Sequence, residues 1–199
     1  MTEAEETYYT RERWQNWLTR VEEETLDPEN EDSARLLLNL QDDAAIAVAK
    51  IVSAHEDGDL DEDTALEELE RVRDIVLQEP DFDIEDDEER QDKLMLIDGV
   101  QTSLVCVFYA AEEYIAAGPA EEAPLSEYVE AAAAAEEEED LDAALGYLVQ
   151  AGTRIIEGDE LDMAIVDELE YGLVSEWVNG LDSLQSALSD PEVVEEDDE

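Results

Sequence analysis

The spacing of apolar residues predicts an all-α protein, a single-domain bundle of about seven helices over residues 1–189 arranged round one long central apolar helix. Three observations carry this expectation. Apolar side chains recur at intervals of three and four along the whole chain, and alternation of β-branched residues is nearly absent. Asp, Gly or Pro stands where the apolar period breaks. With 44% apolar residues there is hydrophobic surface enough for a core, although the net charge alone would suggest disorder.

A first helix is expected from about Thr10 to Glu24, with Trp14, Trp17, Leu18 and Val21 on one face and Asp27 and Pro28 as its stop. The second runs from about Asp32 to His55 with Leu37, Leu38, Ala44, Ala45, Val48, Ile51 and Val52 as its stripe, and Gly58 ends it. Asp61 caps the third, whose Leu66, Leu69, Val72 and Val76 repeat at helical spacing as far as Pro80. An acidic loop at 80–86 leads into the long fourth helix, Asp86 to Ala117, which is apolar on most sides between Leu94 and Ala111 and closed by Gly118 and Pro119. Residues 118–125 have the composition of a linker, after which Ser126 opens a short alanine-rich helix to about Glu137. Asp140 caps the sixth, in which Leu141, Ala144, Leu145, Leu148, Ile155 and Ile156 face inward until Gly158.

The seventh helix is drawn from about Asp162 to Leu188. Its Ile165, Leu169, Leu173, Trp177 and Leu181 stand four residues apart, and each step of four overshoots a turn by about 40°, so the stripe winds round and needs neighbours on two sides. Gly172 and Gly180 mark places where a partner helix would approach closely. Residues 190–199 form an acidic tail without periodicity. Segments 49–70 and 151–170 share a helix, an acidic Gly turn and an Asp cap, a likeness that turn chemistry explains without duplication.

Asp and Glu number 61 against 10 Lys and Arg, a net charge of −51. A compact monomer of this size exposes roughly 9,400 Å², which puts neighbouring acids about 12 Å apart. Screening lengths are about 10 Å in 0.1 M salt and about 3 Å in 1 M salt, so the acids repel one another in dilute buffer and hardly at all in brine. The expectation is the cytoplasm of a halophile, with solvated K+ and Na+ as counter-ions. A surface of this sign repels nucleic-acid phosphates and anionic lipid, so neither is an expected partner. The first 24 residues lack the basic start and apolar run of an export signal. Residues 94–111 are long and apolar enough to raise a membrane span, but Asp98, Gln101, Thr102 and Ser103 lie within them, and a core helix accounts for the pattern. Cys106, the single cysteine, reads as a buried apolar residue.

Catalytic patterns are sparse. His55 is the single histidine, which excludes a di-iron carboxylate bundle, and its place near a helix end suits a favourable interaction with the terminal carbonyls. A calcium loop set on Gly58 would begin at Ser53 and end at Thr64, without the acids required at either end. Glu67, Glu70, Glu89 and Asp92 form two acid pairs with the spacing of a magnesium-binding helical nucleotide pyrophosphatase. In so acidic a chain, four given positions are all acidic about one time in a hundred, so such quartets arise by chance.

RWQNWL at 13–18, ARLLLNLQDDAAIAVAK at 34–50, KLMLIDGVQTSLVCVFYAAEEY at 93–114 and residues 170–199 together resemble a haloarchaeal family of unknown function, number 2150. The resemblance spans nearly the whole chain. It implies an archaeal halophile as source and brings no activity, ligand or catalytic residue with it.

The leading expectation is therefore a non-enzymatic cytoplasmic helical protein that binds another protein or a second copy of itself as a homodimer, without a cofactor. Trp14, Trp17, Trp177 and Leu181 are its candidate contact residues, because tryptophan is enriched at binding hot spots and the last helix shows a turning stripe. The alternative is a magnesium-dependent all-α nucleotide pyrophosphatase-like hydrolase using Glu67, Glu70, Glu89 and Asp92. A net charge of −51 predicts that helical circular dichroism is weak in salt-free buffer and rises to its full value in molar KCl. Full helicity without added salt would count against a halophilic setting.

Overall fold

A computed structural model describes residues 7–27 and 29–189, and every regular element among them is helical. The elements are α1 (Arg11–Glu23), α2 (Glu31–Glu56), α3 (Glu62–Val76), α4 (Asp87–Ala117), α5 (Leu125–Glu137), α6 (Leu141–Glu157), α7 (Met163–Asp167) and α8 (Leu173–Ser189). Pro28 and the acidic tail at 190–199 lie outside the described residues.

The starts of most helices follow from side chains next to them in sequence. Thr10, Asn30, Asp61, Asp86, Asp140 and Asp162 each accept a hydrogen bond from a backbone N–H in the first turn of the following helix. Gly58, Gly118 and Gly158 adopt positive φ where α2, α4 and α6 end. Ser126, expected to open α5, lies inside it; the helix begins one residue earlier behind Pro124, with no side-chain cap. The expected linker is pinned to the body, because Ala120 N–H donates to Thr153 Oγ1 (2.9 Å) and Tyr128 Oη donates to the carbonyl of Glu121 (2.7 Å).

The inward faces differ from expectation at two places. In α2, Leu36 and Leu40 are buried while Leu38 is 52% exposed, since the stripe continues back from Ala44 in steps of four and so selects one phase of the leucine run. In α6, Leu141 stands out at 42% exposure beside the helix start. The acidic loop before α4 holds an apolar anchor, Phe82, which is buried.

The last expected helix is two helices. α7 is short, and the chain turns between Glu168 and Gly172 before α8 begins. Glu136 of α5 reaches across to the new helix start, where its Oε1 accepts from Leu173 N–H (2.7 Å) and Val174 N–H (3.3 Å). A carboxylate at a helix N-terminus satisfies unpaired donors and faces the positive end of the dipole. Gly172, the residue before α8, leaves room for that carboxylate: a Cβ there would come within 2.6 Å of the same oxygen and push the Glu136 side chain aside. With the helix divided, Ile165 and Leu169 no longer share an axis with Trp177 and Leu181, and the stripe winding round one long rod does not exist.

α4 lies at the centre and packs against α2, α3, α6 and α8. Among the described residues it is the one helix long and apolar enough by length and composition to cross a membrane, and half of its most apolar stretch is buried within the protein. Its polar residues serve the fold: Gln101 Nε2 donates to the carbonyls of Val76 (2.8 Å) and Gln78 (2.9 Å) at the end of α3. Cys106 is fully buried, and burial pushes its thiol pKa up.

Two glycines set how closely helices meet α4. A Cβ on Gly180 of α8 would overlap the carbonyl oxygen of Ser103, and one on Gly152 of α6 would overlap Ala110 and lie 2.9 Å from Leu181. Gly180 is thus a close-approach residue as its place in the sequence suggested, but the helix it meets belongs to the same chain. Alanine is favoured over glycine inside a helix by about 1 kcal/mol, while overpacking against a backbone that cannot move aside costs about 1–3 kcal/mol. Gly180→Ala is therefore expected to lower stability, by up to about 2 kcal/mol, read as a lower denaturation midpoint in molar KCl.

Candidate functional site

α3 and α6 both pack on α4 and leave an open groove of about 600 Å³ between them. α3 lines it from Leu66 to Arg73, α4 from Tyr109 to Ala116 and α6 from Asp142 to Val149. Each stretch is eight residues, so its ends are seven steps, two helical turns or about 10 Å, apart. Leu66, Leu145, Val149 and the 45% exposed ring of Tyr109 give it an apolar interior. Glu70, Glu112, Glu113 and Asp142 make its rim acidic.

One cation enters the groove. Arg73 forms an ion pair with Glu112 across the α3–α4 contact and lies 3.9 Å from Glu70 on its own helix. Burial raises the Glu112 pKa; Arg73 pulls it down, with less effect, and Glu70 adds repulsion. The groove thus retains a half-buried carboxylate whose ionised form is disfavoured where it sits. Glu113 and Asp142 are exposed and make no ion pair among the described residues.

Gly146 lies in the α6 wall, and a Cβ there would meet nothing within 4 Å. Glycine inside a helix costs about 1 kcal/mol relative to alanine, and no packing neighbour demands it at this position.

The residues singled out in the sequence fall elsewhere, with one exception. Trp14, Trp177 and Leu181 are buried within the chain's own core, at 2%, 6% and 1% exposure. Trp17 is half-buried and donates from Nε1 to Asp43 Oδ2 (2.8 Å), with Arg20 stacked 4.6 Å from its ring centre. Of the acid quartet, Glu67 and Glu70 lie on α3 and Glu89 and Asp92 near the start of α4, all exposed. Only Glu70 borders the groove. Glu89 pairs with Lys93 (3.0 Å), and among the described residues no three His, Cys, Asp or Glu side chains gather where they could hold a metal ion. His55 meets the carbonyl of Leu60 through Nδ1 (3.1 Å), closing the turn between α2 and α3.

Two polar clusters had no signal in the sequence. Asp43, 2% exposed, accepts from Arg13 Nε (2.8 Å) and Trp17 Nε1 and so clamps α1 to α2. Lys93, equally buried, donates to the carbonyl of Glu22 (2.6 Å) and ties the end of α1 to α4. Buried charge of this kind is legible only when its partner's position is known. The groove was equally hidden, because its lining comes from three helices far apart along the chain.

The architecture is thus an all-α bundle with an open, acid-rimmed groove over its central helix. Over residues 7–197 the chain matches a family described as uncharacterized proteins conserved in archaea (DUF2150), and it belongs to that family. No curated protein and no solved structure matches it.

The raised pKa of Glu112 gives a signed expectation. A carboxyl group whose folded pKa lies above its unfolded value lowers stability as pH rises through that window. Glu112→Gln is therefore expected to leave the midpoint of unfolding unchanged or higher at pH 7, the difference closing as pH falls through the carboxylate range. A large loss of stability at pH 7 would show that the Arg73 pair outweighs desolvation.

Proposed function

We propose that this protein acts without catalysis in the cytoplasm of a salt-accumulating archaeon, holding another protein in the groove between α3, α4 and α6. The observation that carries this reading is the groove itself: an apolar strip two turns long, open along its length and bordered by acids. Recognition of a partner helix uses such a strip, with apolar anchors in the groove and charges along its edge. The excess of acid over base, 61 against 10, supports the saline setting and disfavours nucleic acid or an anionic membrane as partner.

Trp14, Trp177 and Leu181 are buried in the chain's own core, so this reading takes the groove rather than those residues as the contact surface. A different chain is a better occupant than a second copy, because this chain has few Lys or Arg, 10 against 61 Asp and Glu, to set against the acids of the groove.

The test is co-purification from a native archaeal lysate in molar KCl, comparing the wild-type chain with Gly146→Trp, which fills the groove. A partner retained by the first and lost by the second is the expected outcome, along with magnesium titrations that release no heat of binding. A partner held equally by both would place the interface elsewhere. Saturable magnesium binding abolished by Glu67→Gln with Glu89→Gln would favour the hydrolase.

A further inference from the structure

We propose that the groove between α3, α4 and α6 receives a basic amphipathic helix, two turns of which lie along α4 with apolar residues inward and Lys or Arg on both edges. This rests on the protein-binding reading and specifies the chemistry of the partner. The dimensions come from the three walls, which run together for two turns each. A fourth helix laid there contributes apolar residues at i, i+3 or i+4, and i+7, the set that two turns present on one side. Leu66 on one wall and Leu145 and Val149 on the other supply the apolar counterpart.

Charge complementarity fixes the sign of the partner. Four acids and one arginine line the groove, and the arginine is already engaged by Glu112 and Glu70. Glu113 and Asp142 stand on the α4 and α6 sides without an ion pair among the described residues. Lys or Arg on the bound helix would meet them, and one passing over Tyr109 would lie against an exposed aromatic face. An acidic helix would gain the apolar contact but bring like charges to contact distance, where screening acts least. Gly146 leaves room in the α6 wall for one large side chain of the partner.

The rest of the surface is acidic too, so attraction alone is not recognition. Salt separates the two: at about 1 M the screening length is about 3 Å, which removes diffuse attraction and leaves contacts made at the apolar strip. The experiment is fluorescence anisotropy in about 1 M KCl with three labelled synthetic helices of about 18 residues. The first carries a leucine stripe flanked by Lys and Arg. The second is its scrambled sequence, and the third keeps the stripe with Glu in place of the basic residues. The first is expected to bind the wild-type chain at least about tenfold more tightly than either control.

Gly146→Trp is expected to weaken that binding by about tenfold with an unchanged circular dichroism spectrum. The surface variant Glu113→Gln with Asp142→Asn is expected to weaken it about three- to tenfold, and it gives a second readout should Gly146→Trp misfold. Equal binding of the scrambled peptide, or no effect of either variant, would overturn the proposal by showing adhesion to the general acidic surface. Tighter binding of the acidic helix, or binding of none, would overturn it as well. In those last two cases a native partner still lost with Gly146→Trp would leave the protein-binding reading standing.

Discussion

The contact on which the rest depends is the approach of α8 and α6 to α4, at Gly180 against the Ser103 backbone and at Gly152 against the Ala110 methyl. Helices normally pack at 8–10 Å with side chains between them; glycine at the contact allows the shorter end of that range. Drawing α8 against Ser103 and α6 against Ala110 covers two sides of α4, and α2 covers a third. The side that remains is shared between α3 and α6, which do not close over it. The groove depends on these contacts: they help settle where α6 lies, and α6 leaves its wall open at Gly146.

The second organising fact is scarcity of positive charge. Six of the ten basic residues make ion pairs among the described residues, and those linking separate helices are placed with economy. Arg13 joins α1 to α2, Arg73 joins α3 to α4, and Lys93 holds the end of α1 against α4. Exposed ion pairs contribute little to stability, but a buried Asp43 or Lys93 left without its partner would be costly. The clamps at Arg13 and Lys93 orient α1, which packs on the bundle through the buried Trp14, Leu18 and Val21. The remaining acids are carried on the surface as a solvated coat.

Much of the fold was legible residue by residue. The caps at Thr10, Asp61, Asp86 and Asp140 and the glycines at 58, 118 and 158 mark helix ends because each acts on backbone atoms a few positions away. The centrality of α4 was legible because its middle is apolar on most sides. The break between α7 and α8 was not, because the group that caps α8 is Glu136, 37 positions upstream. The phase of the leucine run in α2 was ambiguous for the same reason: three adjacent leucines cover most of a turn, and only the neighbours decide which one is buried. Of the candidate site, metal-binding spacing points to Glu70 and helical periodicity to Leu66 and Leu145, and neither signal places them on a groove.

By itself, then, the sequence determined the helical class, most helix boundaries, the central element and the acidic surface, since each follows from local periodicity, local capping or a sum over residues. The tertiary structure decided which tryptophans are core, where a distant carboxylate starts a helix, and that Leu66, Tyr109, Glu113, Asp142 and Gly146 border one groove. Those outcomes depend on how α3, α4 and α6 are placed against one another, and spacing along a single helix carries no record of its distance from the next.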